Sequence, residues 1–139
     1  MENVRFDTKI AVLLRADLAQ WQRLNVTAFL VSGLGTTHPE VIGAPYEDAD
    51  ATRYRPMFRQ PVLIFEADKE LLTTAHTRAL TRELSTAVFT SDLFTTGNDH
   101  DNRAAVRAVP TTALDLVGLA VYGPRNTVDK IMKGARMHP

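Results

Sequence analysis

Four short apolar runs constrain this chain more than any other feature. They are Lys9-Ile10-Ala11-Val12-Leu13-Leu14, Pro61-Val62-Leu63-Ile64-Phe65, Thr86-Ala87-Val88-Phe89-Thr90 and the longer run from Leu114 to Tyr122. Each is too short for a core helix and too continuous for a strand with one face in water. Such runs fit strands buried on both faces, as in sheets covered by helices on either side. The segments between them carry 3.6-residue periodicity, so strands alternate with helices. The expected fold class is α/β: a three-layer α/β/α sandwich around a mainly parallel (mixed) four-stranded sheet. At 139 residues, positions 1–139 suit a single domain with one core.

The intervening segments read as follows. Gln20 to Val31 is helical, with Leu24, Ala28 and Val31 at i, i+4, i+7 and Leu30 and Leu34 widening that face. Asn25 is an alternative cap for a later start. Gly33 and Gly35 are stop signals, with Pro39 beyond them. Thr36 to Gln60 is interrupted by Pro39, Gly43, Pro45 and Pro56, so only a helical turn near Pro39-Glu40-Val41-Ile42 and extended chain around Tyr46 are expected. Arg53-Tyr54-Arg55 is read as a solvated loop with an anchoring tyrosine, in preference to an anion site. Asp68 caps a helix from Lys69 to about Leu84, whose stripe is Leu71, Leu72, Ala75, Ala79 and Leu80, with His76 at its boundary. A short helix over Asp101–Val109 stops at Pro110. Gly118 inside the fourth strand marks close approach or a bulge. Asn126 or Thr127 caps the last helix, which presents Val128, Ile131, Met132 and Ala135 on one face.

Composition narrows the function classes. There is no cysteine, which excludes disulfides, thiolate metal sites and cysteine nucleophiles. Formal net charge is zero, whereas proteins that hold nucleic acid through its phosphates carry a basic surplus. Nucleic acid is therefore not an expected partner. The N-terminus lacks an apolar signal core, and no run approaches the ~20 apolar residues of a membrane span. A cytoplasmic protein without membrane attachment is the expectation.

Ligands of α/β sheets favour the C-terminal edge of the parallel strands. Two stretches leave strands at that edge. Arg15 to Asn25 follows the first strand. Thr90 to Asn102 follows the third and concentrates three Asp, two Asn, a His and several hydroxyls. Within them, Asp92 has the chemistry of a base or a water-orienting carboxylate, and Thr96 could position that water. Asn25 and Asn98 could donate to a carbonyl or oxyanion, and Arg15 or Arg23 could hold an anionic group. The competing reading is that Asp, Thr and Asn after a strand form Asx-turns and caps. Asp99, His100 and Asp101 have metal-ligand side chains, but adjacent residues point apart. No metal and no cofactor are expected there, and Asp99 or Asp101 capping the next helix is the preferred reading.

Arg15-Ala16-Asp17-Leu18 after strand one, Asp92-Leu93-Phe94-Thr95-Thr96 after strand three, and Gly123-Pro124 leading into Val128-Asp129-Lys130 occur in an order that resembles the type II peptidyl-tRNA hydrolase fold. A closer resemblance is to an uncharacterised bacterial and fungal domain-of-unknown-function family with that fold. It rests on Leu24-Asn25-Val26, Gln60-Pro61-Val62-Leu63, Asp92-Leu93-Phe94 and Val128-Asp129-Lys130. The resemblance implies a homodimer. The hydrolases' lysine-bearing turn before helix one is here Gln22-Arg23-Leu24-Asn25, without a lysine. Arginine cannot exchange a proton at neutral pH.

The first functional expectation is therefore hydrolysis of a small acyl, ester or amide substrate, with Asp92 and Thr96 catalytic and Arg15, Arg23, Asn25 and Asn98 binding. The alternative is a non-catalytic module that binds a small ligand or a protein. Peptidyl-tRNA hydrolysis is disfavoured by the neutral charge and the missing lysine.

Overall fold

The computed structural model describes residues 4–139. The central strand is β1 (Thr8–Arg15). It is followed by α1 (Gln20–Thr37), a small hairpin of β2 (Tyr46–Glu47) and β3 (Arg53–Tyr54), then β4 (Val62–Ala67) and α2 (Lys69–Thr81). The chain continues through β5 (Thr86–Thr90), α3 (Asp99–Arg107), β6 (Leu116–Pro124), α4 (Arg125–Ile131) and β7 (Arg136–Met137). All four expected strands lie in one mixed sheet of order β5-β6-β1-β4-β7. β1 pairs parallel to β4, from Ile10↔Val62 to Arg15↔Ala67. It pairs antiparallel to β6, from Thr8↔Pro124 to Leu14↔Gly118.

Strands β1, β4 and β5 share one direction, and β6 and β7 run against them. The apolar runs did not distinguish the two directions, because a sheet covered on both faces makes an antiparallel strand as apolar as a parallel one. The added strand β7 begins where the last helix was expected to continue through Ala135. Gly134, at φ +98°, turns the chain back so that Arg136 and Met137 pair with Glu66 and Phe65. Neither Asn126 nor Thr127 caps α4. The helix starts earlier, with Pro124 at the cap position.

Period-two alternation divides the core. Ile10, Val12, Leu14, Phe89, Val117 and Ala120 pack with α1 on one face. Ala11, Leu13, Leu116, Leu119 and Val121 pack with α2 and α4 on the other. The expected stripe of α2 holds at Leu72, Ala75 and Ala79, which are buried together with His76, while Leu80 is half-exposed. Val128, Ile131 and Met132 of α4 are buried as expected. Asp68 caps α2, its carboxylate accepting from Leu71 N at 2.9 Å.

Helix α1 departs from expectation twice. Its buried residues are Val26, Leu30 and Leu34, whereas Leu24 is 67 % exposed and Ala28 is exposed. Two overlapping apolar stripes run along this helix, and the sheet took the one ending at Leu34. The helix also continues through Gly33 and Gly35 to Thr37. A Cβ at Gly33 would stand 3.5 Å from Ala87 Cβ, and one at Gly35 would stand 3.2 Å from the Phe58 ring. These glycines permit close packing and do not end the helix.

Among the described residues no helix is long and apolar enough to cross a membrane.

Candidate functional site

β1 and β4 are adjacent and parallel, yet α1 leaves β1 toward one face of the sheet and α2 leaves β4 toward the other. Helices diverging in this way open a crevice at the strands' C-terminal edge, the position where α/β sheets bind ligands. Here the crevice has a volume of about 390 Å³ and is lined by Arg15, Ala16, Asp17, Asp68, Lys69 and Asp115. Asp115 reaches it because β6 runs antiparallel, so the start of β6 lies beside the ends of β1 and β5.

The polar groups form one network. Arg15 donates from Nη1 to Asp115 Oδ1 at 2.8 Å and from Nε to Asp17 Oδ1 at 2.7 Å. Lys69 Nζ lies 3.4 Å from the same Asp115 oxygen. Ser91 N donates to Asp115 O at 3.0 Å. The Ser91 side-chain hydrogen bond, followed by the charge and hydrogen bonds of Arg15 and Lys69, outweighs desolvation and holds the Asp115 carboxyl below its ordinary range. Burial works against the Arg15 guanidinium, but its bonds to Asp17 and Asp115 leave it above its ordinary value. The crevice therefore holds fixed charges of both signs at neutral pH. Two cations converge on one carboxylate, and each retains N–H groups beyond those in these contacts, since an arginine has five and a lysine three.

The two edge stretches do meet. Trp21 packs edge-on against Phe94 with ring centroids 5.8 Å apart, and Ser91 bonds Asp115 beside Arg15. Arg15 lies in the crevice. Asp92, one residue beyond Ser91, is exposed in a 3-10 turn spanning Ser91–Phe94. The Thr96 hydroxyl is tied to Leu93 O at 3.1 Å and to the Asn102 side chain. Asn98 caps α3, accepting from Asp101 N at 2.9 Å. The cap is thus Asn98, with Asp99 and Asp101 in the first turn where they favour the helix dipole. Asn25 is exposed on α1 and does not line the crevice.

Arg23 is bound to the protein itself. Its Nη1 donates to Glu66 Oε2 at 2.6 Å, its Nε to Leu18 O at 3.0 Å, and its Nη2 to Ala16 O. Nη1 also meets His138 Nε2 at 2.9 Å, while His138 Nδ1 faces Pro139 O at 2.9 Å. These contacts suit the tautomer with the proton on Nδ1 and Nε2 accepting. Glu66 is only 3 % exposed, and its other oxygen accepts from Arg136 Nε at 2.6 Å. Hydrogen bonding from Arg23, then from Arg136, holds the Glu66 carboxyl below its ordinary range despite desolvation. This cluster ties β4 to the β1–α1 turn and to β7, closing the sheet edge next to the crevice.

Lys69, Asp115 and Glu66 were not singled out from the sequence. Lys69 sits first in a helix, where lysine reads as ordinary surface. Asp115 lies within a run taken as strand from Leu114, although an acid inside an apolar run was the available signal. Glu66 carried the same signal, directly after Phe65.

No curated protein matches the chain. A solved structure, that of a protein of unknown function from Agrobacterium tumefaciens, superposes with a TM-score of 0.94 at 44 % identity, covering 97 % of this chain and 100 % of that one. Residues 8–139 match the family described as protein of unknown function DUF2000. The family match spans the sheet, the helices and every crevice residue, and the chain belongs to the DUF2000 family.

Proposed function

We propose that the crevice binds a small acyl compound and that the protein hydrolyses its ester or amide bond. One observation supports this most: two cations, Arg15 and Lys69, converge on Asp115 where α1 and α2 diverge. They would hold a substrate carboxylate or stabilise the oxyanion that forms on its carbonyl. Asp92, exposed on the adjoining turn, would take the proton from the attacking water, with Thr96 fixing the loop that presents it. The mechanism predicts that Asp92→Asn eliminates turnover in an ester and amide panel while the melting temperature stays within about a degree of wild type. Loss of both together would make Asp92 structural. Lys69→Gln should raise KM at least tenfold, the consequence of removing a charge-assisted hydrogen bond worth ~1.5–3 kcal/mol.

Binding without turnover is favoured by a separate observation. The crevice carboxylate Asp115 is already engaged by Arg15 and Lys69, and Asp92 is not among the residues that line the crevice. On that reading small carboxylates stabilise the protein, by ~2.7 kcal/mol at a hundred times the dissociation constant, and no product forms.

We also propose that α1 is covered by a second copy of the chain. Of its eighteen residues only Arg23 is charged, and Arg23 faces Glu66. The outward face carries Trp21 at 61 %, Leu24 at 67 % and Phe29 at 53 % exposure, without a charge. The β2–β3 arm, whose base packs Phe58 on Gly35 of α1, adds half-exposed Tyr46, Tyr54 and Met57. Six such side chains offer on the order of 600 Å² of apolar surface. With the polar residues between them the face approaches the ~800 Å² per partner of a standard interface. The α1 part of this face is uncharged, and the arm carries acidic Glu47, Asp48 and Asp50 with basic Arg53 and Arg55, so each part can meet its own copy across a two-fold axis. Light scattering should give a dimer mass for the wild type and a monomer mass for the Trp21→Glu, Leu24→Glu double variant. An unchanged mass in the variant would contradict this interface.

A further inference from the structure

A cavity of about 600 Å³ lies at the opposite end of the sheet from the crevice, at the N-terminal ends of β1 and β4. It exists because β7 covers only part of the outer edge of β4. β7 pairs with Phe65 and Glu66, and His138 N donates to Ile64 O at 2.9 Å. Among the described residues no strand pairs outside Pro61–Leu63. The floor is apolar, with Leu63 and Phe6 partly buried and Pro61 exposed.

The charged side chains around this floor are Arg5, Lys9 and Arg125, and no acidic residue lines it. In a chain of zero net charge this is a local surplus of positive charge, reduced by the pairing of Lys9 with Asp129. Two of the three cations are held in place. Lys9 Nζ is 2.6 Å from Asp129 Oδ1 on α4, and Arg125 donates to Phe6 O at 3.1 Å. The Arg125 contact uses one of five guanidinium N–H groups. Preset donors of positive charge around an apolar floor match a ligand of opposite layout.

We propose that this cavity binds an amphipathic anion: an acidic head, carboxylate or phosphate monoester, on an unbranched or aromatic apolar tail. The head lies against Arg5, Lys9 and Arg125, and the tail lies along Leu63, Pro61 and Phe6. The site is distinct from the crevice, where three acidic side chains, Asp17, Asp68 and Asp115, accompany two basic ones, Arg15 and Lys69.

Calorimetric titration of the full chain with octanoate, octyl phosphate, octanol and octyltrimethylammonium tests this. Both anions should bind saturably, and the alcohol and the cation at least tenfold more weakly. Tighter binding by octanoate than by octyl phosphate, or the reverse, identifies the head group. An Arg5→Gln, Lys9→Gln double variant should weaken the anions at least tenfold, and Leu63→Ser should weaken them as well. Lys69→Gln, at the other end of the molecule, should leave intact the octanoate binding that the Arg5→Gln, Lys9→Gln variant removes. Equal binding of octanol and octanoate, or unchanged anion affinity in the double variant, would overturn the proposal. Weakening by Lys69→Gln alone would place the anion in the crevice instead.

Discussion

Gly118→Ala is expected to destabilise the protein by about 1–3 kcal/mol, the usual cost of forcing extra volume into a packed core. A Cβ at this position would stand 2.4 Å from Val26 Cγ1 and 3.0 Å from Leu30 Cδ1. Val26 is β-branched and helical, so it has one favoured rotamer and cannot swing aside. The same spot is where β5 slips register against β6 between Phe89 and Thr90, so both readings of Gly118, close approach and irregularity, hold here. Urea denaturation should show a lower midpoint with an unchanged slope. Gly97→Ala is the control, since nothing lies within 4 Å of a Cβ there. Val26→Ala should recover part of the loss in the Gly118→Ala background, a coupling expected of residues in contact. Equal midpoints for the two glycine variants would refute the close packing of α1 on β6.

The second large effect concerns Glu66. Glu66→Ala should lower the melting temperature far more than Arg136→Ala, because it leaves Arg23, mostly buried, facing an apolar strand without its partner. Arg136 is largely exposed, and its loss still leaves the Arg23 bond in place. The pH dependence has a definite sign. The Glu66 carboxyl titrates lower in the folded than in the unfolded chain, first because of Arg23 and then because of Arg136. Its contribution is complete above the unfolded value of ~4.3 and is lost as pH falls below it. Glu66→Gln should therefore lower stability at neutral pH and flatten the acid limb of the stability profile. An unchanged acid limb in that variant would mean that Glu66 is not held ionised by its arginines.

These two positions show what the sequence made legible and what it did not. The apolar runs located four strands, and the stripes of α2 and α4 identified their buried faces, because burial imposes a period that survives without knowledge of the partner. Strand direction left no such trace, since β6 is buried on both faces in either direction. The stripe of α1 was ambiguous because the helix is apolar nearly all round. Leu24 and Ala28 fit a core pattern as well as Val26, Leu30 and Leu34 do. At the crevice, Arg15 was legible from its place after β1. Lys69 and Asp115 depend on an antiparallel β6 and on α1 and α2 parting to opposite faces, which are facts of topology and not of spacing. Arg23 has the residue type of an anion binder, and only the buried Glu66 shows why its donors are already engaged.

A ligand site created by the divergence of α1 and α2 should respond in amide chemical-shift mapping during titration with N-acetylglycine and its methyl ester. Saturable shifts are expected at Ala16, Asp17, Lys69 and Ser91–Asp92, and they should be lost in Lys69→Gln. Shifts centred on other parts of the fold, or shifts at the crevice that Lys69→Gln leaves intact, would contradict such a site.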